Sequence, residues 1–333
     1  MDVSLSLKSK TINIKSLSEP ISSELKEFKT AYRKSMHTDQ FLINRISGYM
    51  TTRHGKILRP ILILLSAKLF GEPNKDTISS AVLVELLHAA TLIHDDVVDR
   101  AEQRRGIPAV HSIWKNKISV LMGDFLFSRA LINLVRLRNF DALDVLSRTA
   151  ERMSKGELLQ MEKNRSNGMD EDTYFKMISD KTASLFSASC EMGTLTTTDL
   201  PEHREAMALY WEHLGIAFQL KDDLFDFSEK KIFTGKPVGG DVKENLMTLP
   251  VIHSLSNRNR KAGKMVKILR SKRGKKEYKD LVNFVKDNGG LAYTEEKLLY
   301  HSKQAVDSLT ILDAEFDKDA LIDFVQFNLE RTK

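Results

Sequence analysis

Two short runs of aspartate carry the densest chemistry in this sequence: Asp95, Asp96 and Asp99 in HDDVVDR, and Asp222, Asp223 and Asp226 in KDDLFDF. Each closes an apolar run with helical periodicity. On a helix, residues four apart share a face, and the middle aspartate turns about 100° away. Carboxylates that close repel one another unless a cation joins them. Hard oxygen donors so arranged suit Mg2+, which keeps part of its water shell and shares substrate phosphates. All six aspartates are therefore candidate metal ligands and catalytic residues.

A diphosphate held through Mg2+ also calls for fixed cations, and they stand close by in sequence. Arg104 and Arg105 follow the first cluster in RAEQRRG, and Lys56 and Arg59 lie in GKILRP. A glycine before and a proline after that pair place both cations near a helix start, a natural anion site. His88 is two turns before Asp95 on the same face. Lys181 and Thr182 in ISDKTASLF offer a cation and a hydroxyl, Gln219 lies one turn before Asp223, and Lys236 falls in GKPVGGD. Taken singly, each has an ordinary reading as a loop charge, a core histidine or an internal hydrogen bond. Their spacing against both aspartate clusters is what gives them weight together.

Apolar residues recur at three- and four-residue spacing almost throughout, and no set of alternating strands stands out. The pattern predicts helices over 19–35, 38–52, 58–70, 75–99, 118–138, 141–163, 171–197, 201–227, 247–256, 276–288, 293–312 and 320–330. Asp141 is a candidate N-cap, and Pro201 a favoured first-turn residue. The runs before DDVVD and around GDFLFSRA are apolar nearly all round, so both helices should be central. Nothing linker-like divides the chain. The expectation is an all-α, single-domain helical bundle over 1–333 around a central apolar cavity, with residues 1–17 a flexible N-terminus. Both clusters at one mouth of that cavity would suit an amphiphile with a diphosphate head.

The 333 residues are 41% hydrophobic and 29% charged, in keeping with a globular protein with a sizeable core. The longest uncharged apolar run, residues 60–67, is too short to cross a bilayer. The first residues lack the apolar core and cleavage site of a signal peptide. One cysteine, Cys190, rules out an internal disulfide. A cytoplasmic location follows as the simple expectation. The net charge of +6 is concentrated in 258–279, where Glu277 is the one acid. That stretch is either a solvated face or a weak contact for a membrane surface. Apart from Tyr278 it lacks the interleaved aromatics that would point to nucleic acid.

In order, GKILRP, HAATLIHDDVVD, RRG, GDFLFSRA, KTASL, FQLKDDLFD, GKPVGGD and TLP resemble the landmarks of trans-isoprenyl diphosphate synthases, the polyprenyl synthetases. The resemblance spans nearly the whole chain and implies the isoprenoid synthase fold. It implies that Asp95, Asp96 and Asp99 bind Mg2+ and through it an allylic diphosphate. Asp222, Asp223 and Asp226 would add a further ion, about two or three per active site. Lys56, Arg59, His88 and Arg105 match contacts to isopentenyl diphosphate. Arg104, Lys181, Thr182, Gln219 and Lys236 match contacts to the allylic substrate, Lys181 with a catalytic share. One departure is KENLMTLP after GKPVGGD, where many members have Gly-Lys. The implied chemistry is ionisation of the allylic C–O bond, attack by the isopentenyl double bond, and loss of a proton to the released diphosphate. A homodimer is the family expectation.

Product length should be set by the helix below the first cluster. Ala90 and Thr91 stand where short-chain members carry an aromatic, and Leu87 lies one turn deeper. A helical turn is about 5.4 Å, close to one isoprene unit, so small residues there leave room for a long product such as a quinone side chain. Met122 and Phe125 are further candidates for the cavity floor. The alternatives are a shorter-chain synthase making farnesyl or geranylgeranyl diphosphate, a terpene cyclase or head-to-head coupling enzyme, and a non-catalytic partner subunit. GKILRP and RRG argue against the cyclase and the coupling enzyme, and six intact aspartates against the partner subunit.

Overall fold

A computed structural model describes residues 12–52, 57–104, 106–166, 168–227, 247–256, 262–270, 275–313 and 317–331. Helices α1 (Ile14–Ser18), α2 (Ser22–Met36) and α3 (Phe41–Thr52) lead to α4 (Leu58–Phe70) and α5 (Lys75–Val98). A two-stranded ribbon, β1 (Gln103–Arg104) and β2 (Ile107–Pro108), precedes α6 (Val110–Leu137) and α7 (Phe140–Ser166). Then come α8 (Glu171–Ile178), a π-turn (Ser179–Ala183), α9 (Ser184–Thr194) and α10 (Pro201–Asp226). The chain closes with α11 (Leu249–Ser256), α12 (Ala262–Arg270), α13 (Lys275–Asp287), α14 (Gly290–Ser308) and α15 (Asp319–Glu330).

The all-α expectation agrees with this architecture. Helix α4 buries every residue from Pro60 to Ala67, and α5 buries its middle against α2, α4, α6 and α9. An Asn74 capping box starts α5, and Asn74 Nδ2 also donates to Thr196 O at 2.8 Å, fixing the helix to the end of α9. Helix α10 packs on α9 and α14 around Tyr210 and Trp211, and the Tyr210 hydroxyl donates to Leu321 O. Fully burying such side chains contributes about 1.5–3 kcal/mol each.

The structure departs from the sequence pattern in several places, among them the start of α6, which is at Val110 and not at 118. Residues 171–197, expected as one helix, are α8 and α9 joined by the π-turn. Asn139, not Asp141, caps α7, its Oδ1 accepting from Ala142 N at 2.9 Å. Ile14–Ser18, which begins inside the segment 1–17 expected to be flexible, is helical, capped by Asn13 and anchored by buried Leu17. The amphipathic helix α12 has no counterpart in the expected set.

Helices α5 and α6 are each long and apolar enough to cross a membrane by length and composition, although no uncharged run is. In α5 that surface is spent inside the bundle. In α6 it is not: Leu121, Leu131 and Val135 are exposed, joined by Phe140, 86% exposed, at the start of α7.

Candidate active site

Both aspartate clusters share one layout. At the C-terminal end of α5, Asp95 and Asp99 are half-buried and face one way, while Asp96 turns inward and is buried. At the end of α10, Asp222 and Asp226 are half-buried and Asp223 is buried. The i, i+4 pair forms the rim in each case, as helical geometry requires.

Each inward aspartate is held by internal donors. Arg104, on the ribbon that follows α5, donates from Nε to Asp96 Oδ1 at 2.7 Å. Asp223 receives the Tyr174 hydroxyl on Oδ2 and Gln219 Nε2 on Oδ1 at 2.9 Å, and Thr182 Oγ1 donates to Gln219 Oε1 at 3.2 Å. Burial nevertheless pushes the Asp223 carboxyl up to about 7, with Asp226 and Asp222 adding to the rise against those donors. Asp222 Oδ1 meets Arg331 Nη1 at 2.7 Å, and the Tyr278 hydroxyl donates to the backbone carbonyl of Asp226.

Lys181 links the two sides. Its ammonium lies 2.5 Å from Glu157 Oε2 and donates to Gln160 Oε1 at 2.6 Å. Burial pushes the Asp95 carboxyl up to about 6, with nearby Glu157 and Asp99 raising it and Lys181 and Arg104 opposing them. Lys181 therefore acts electrostatically on the first cluster while lining a cavity of about 260 Å3 at the second. Thr182, Gln219, Asp223, Asp226 and Gln160 form the cavity's polar wall, and Met169, Met177, Ile178 and Met247 its apolar one. A polar head beside an apolar lobe is the shape of an amphiphile site.

The other expected residues fall in three places. Arg59 is in the first turn of α4, its guanidinium 4.9 Å over the Phe186 ring, and His88 is half-buried on α5. Ala90 and Leu87 are buried in α5, and the Thr91 hydroxyl donates to His88 O at 2.9 Å. None of these lines the cavity at the second cluster. Lys56, Arg105 and Lys236 lie outside the described residues.

The polyprenyl synthetase family profile matches residues 40–285. The chain belongs to that family. The octaprenyl diphosphate synthase of Escherichia coli is 28% identical over 97% of this chain and all of its own length. An all-trans-nonaprenyl-diphosphate synthase of Rhodobacter capsulatus is 33% identical over 87% of this chain and 89% of its own. A polyprenyl synthase of Caulobacter crescentus, crystallised with calcium and isoprenyl diphosphate, superposes with a TM-score of 0.88 at 28% identity. That superposition covers 98% of this chain and all of the other. As a polyprenyl synthetase the chain is a prenyltransferase with the all-α isoprenoid synthase fold.

The donor set of this polyprenyl synthetase fits a hard divalent cation. Four half-buried carboxylates at two rims, Asp95, Asp99, Asp222 and Asp226, offer the hard oxygen donors that such a cation takes. Glu157, Gln160, Tyr174, Tyr278 and Arg331 belong to this site and were not singled out from the sequence. None carries a motif of its own. The one available signal was that Glu157 and Gln160 lie three apart on a helix, both able to face Lys181.

Proposed function

We propose that this prenyltransferase is a trans-polyprenyl diphosphate synthase. It condenses isopentenyl diphosphate with an allylic diphosphate, farnesyl or geranylgeranyl, and elongates it 1'-4 into a long chain of the quinone side-chain type. The observation that carries the reading is Lys181, lining the cavity at the second aspartate cluster while acting on Asp95 of the first.

In this reading Lys181, Thr182 and Gln219 bind and orient the allylic diphosphate, with Arg104 and Lys236 beside them. Glu157 and Gln160 hold the Lys181 ammonium in place, so its charge is fixed where the leaving group gains charge. Arg59, His88, Lys56 and Arg105 bind isopentenyl diphosphate, which sets the attacking double bond. Mg2+, about two or three ions held by Asp95, Asp96, Asp99, Asp222, Asp223 and Asp226, supplies further charge for the departing diphosphate when bound. Apolar walls exclude water, so the cation meets a carbon nucleophile first.

The chain works as one domain and as a homodimer in the cytoplasm. Support for the dimer comes from the exposed apolar side chains Leu121, Leu131 and Val135 of α6 together with Phe140, since exposed apolar surface of this kind favours association. The basic stretch 258–279 would give weak contact with an anionic membrane surface, where a long apolar product belongs.

The test is incubation of the protein with radiolabelled isopentenyl diphosphate, each allylic primer and Mg2+, with products sized by thin-layer chromatography. Long-chain polyprenol after dephosphorylation is expected; no condensation with any primer sinks the reading. Asp95→Ala and Asp222→Ala should each cost orders of magnitude in rate, and a mild loss would contradict their roles.

A further inference from the structure

The π-turn Ser179–Ala183 interrupts what would otherwise be one helix from Glu171 to Thr194, and it carries Lys181 and Thr182. A π-turn inserts one extra residue into a helix. It forfeits regular hydrogen bonding and persists where the surroundings hold it. Relaxing it to α geometry would rotate the following residues by about 100°, and both side chains would leave the cavity wall.

The surroundings hold it from two sides. Helix α7 presents Arg152, Gly156 and Gln160 at four-residue spacing on one face. Arg152 Nε meets Asp180 Oδ1 at 2.9 Å, and Nη2 donates to Ser179 Oγ at 2.8 Å. The same guanidinium reaches α10, where Nη2 and Nη1 lie 3.0 and 3.4 Å from Glu212 Oε1 and Oε2, and Ser179 donates its hydroxyl to Glu212. One turn along, a Cβ on Gly156 would stand 2.6 Å from Lys181 N. Opposite, a Cβ on Gly215 of α10 would stand 2.6 Å from Ala183 Cα. Two glycines thus let both helices close on the turn's backbone, and one guanidinium ties all three elements together.

We propose that Arg152, through its links to Ser179, Asp180 and Glu212, is a positioning residue that fixes the π-turn and so aims Lys181 and Thr182 at the allylic diphosphate. This rests on the reaction proposed above. Arg152 itself touches no substrate; its effect is selective because Arg59 and His88, assigned to isopentenyl diphosphate in the proposed reaction, lie on other helices.

Steady-state kinetics with each substrate varied in turn, on wild type, Arg152→Ala, Arg152→Lys and Glu212→Gln, test it. Arg152→Ala should raise KM for the allylic diphosphate roughly tenfold or more, since small misplacements of a binding group are costly. Its KM for isopentenyl diphosphate should stay within about twofold, because Arg59 and His88 lie on other helices, whereas a uniform loss of folded enzyme would lower the apparent kcat and leave both KM values alone. Calorimetric titration with an inert allylic thiodiphosphate should show the same weakening. If Arg152→Ala does not fold, Arg152→Lys decides, since lysine keeps the charge and loses the fork. The same selective rise supports the assignment, and wild-type constants overturn it. Both KM values moving together, or neither, overturns it as well. A wild type that makes no product overturns the reaction and this inference with it. An active wild type with unselective variants overturns the inference alone.

Discussion

Tyr174, on α8, donates its hydroxyl hydrogen to Asp223 Oδ2 on α10, while Gln219 Nε2 takes the other carboxylate oxygen at 2.9 Å. The middle aspartate of the second cluster is thereby fixed in rotamer by two donors. Arg104 does the corresponding service for Asp96 in the first cluster. Both clusters thus combine one locked, buried carboxylate with two outward ones that remain half-open to the rim.

Removing the Tyr174 hydroxyl tests what the lock does. A hydrogen bond to a charged group contributes about 1.5–3 kcal/mol, and Tyr174→Phe keeps the ring that packs in the α8 core. The variant should need about tenfold more Mg2+ for half-maximal activity, the equivalent of about 1.4 kcal/mol. Its melting temperature should also rise less on addition of Mg2+ with pyrophosphate. An unchanged Mg2+ requirement together with an unchanged thermal response would remove Tyr174 from the site's account.

Arg331 is the other long-range partner of the second cluster. Its side chain is 5% exposed, bonded to Asp222, to Asn328 Oδ1 at 2.8 Å and to Phe218 O at 2.6 Å, and its guanidinium lies 3.7 Å over the Phe218 ring. Breaking a buried pair from one side costs about 3–5 kcal/mol; Asp222 still reaches water, so Arg331→Ala should cost about 2–3 kcal/mol. At about 2–4 °C per kcal/mol for a large domain, calorimetry should record a melting temperature about 5–10 °C lower. Arg331→Lys should recover less than half of that, because the ammonium cannot serve three acceptors and a ring. A melting temperature like that of wild type would contradict the argument.

These partners show what the sequence could and could not carry. The i, i+4 spacing of Asp95 with Asp99 and of Asp222 with Asp226 is local, so it was legible, as were the helices whose apolar stripes repeat cleanly. Tyr174 and Arg331 meet their aspartates across 49 and 109 positions. Such pairings follow from how α8 and α15 pack on α10, which no local pattern encodes. The π-turn was hidden for a related reason: the apolar spacing of 171–197 satisfies one helix, and the extra residue is held by α7 and α10. The ribbon that brings Arg104 back to Asp96 has two residues per strand, too few for an alternation to register.

A histidine pair away from the aspartates predicts a pH dependence of stability. His213 Nδ1 on α10 and His301 Nδ1 on α14 lie 3.0 Å apart, so one must donate and the other accept. Burial pushes His301 down to about 4, with His213 and Lys297 adding to the effect; burial also lowers His213, against the pull of Glu212. The unfolded chain takes up these protons near the ordinary value of 6.5, the folded chain only at lower pH. Stability from the pair is therefore full above about pH 6.5 and is lost as pH falls towards about 4. Melting temperature should drop more between pH 7 and pH 5 in wild type than in the double variant His213→Gln, His301→Gln. Equal drops would show that the pair does not contribute.

Product length gives the last test, at Ala90. It is 1% exposed on α5, between buried Leu87 and the first cluster five residues on, so a larger side chain there must displace either the growing product or its packed neighbours. If the growing chain runs past this position, the ring of Ala90→Phe occupies space the product would fill. Each turn of α5 spans about 5.4 Å, close to one isoprene unit, so a block this near the metals should remove several units. The enzyme should stay active and its melting temperature should change little. If the position is ordinary core, an added ring overpacks it at a cost of about 1–3 kcal/mol, and stability falls while chain length holds. Product sizing and a thermal melt on the same preparation separate the two. A full-length product from a destabilised variant would place the length control elsewhere, with Met122 and Phe125 on α6 the next positions to change.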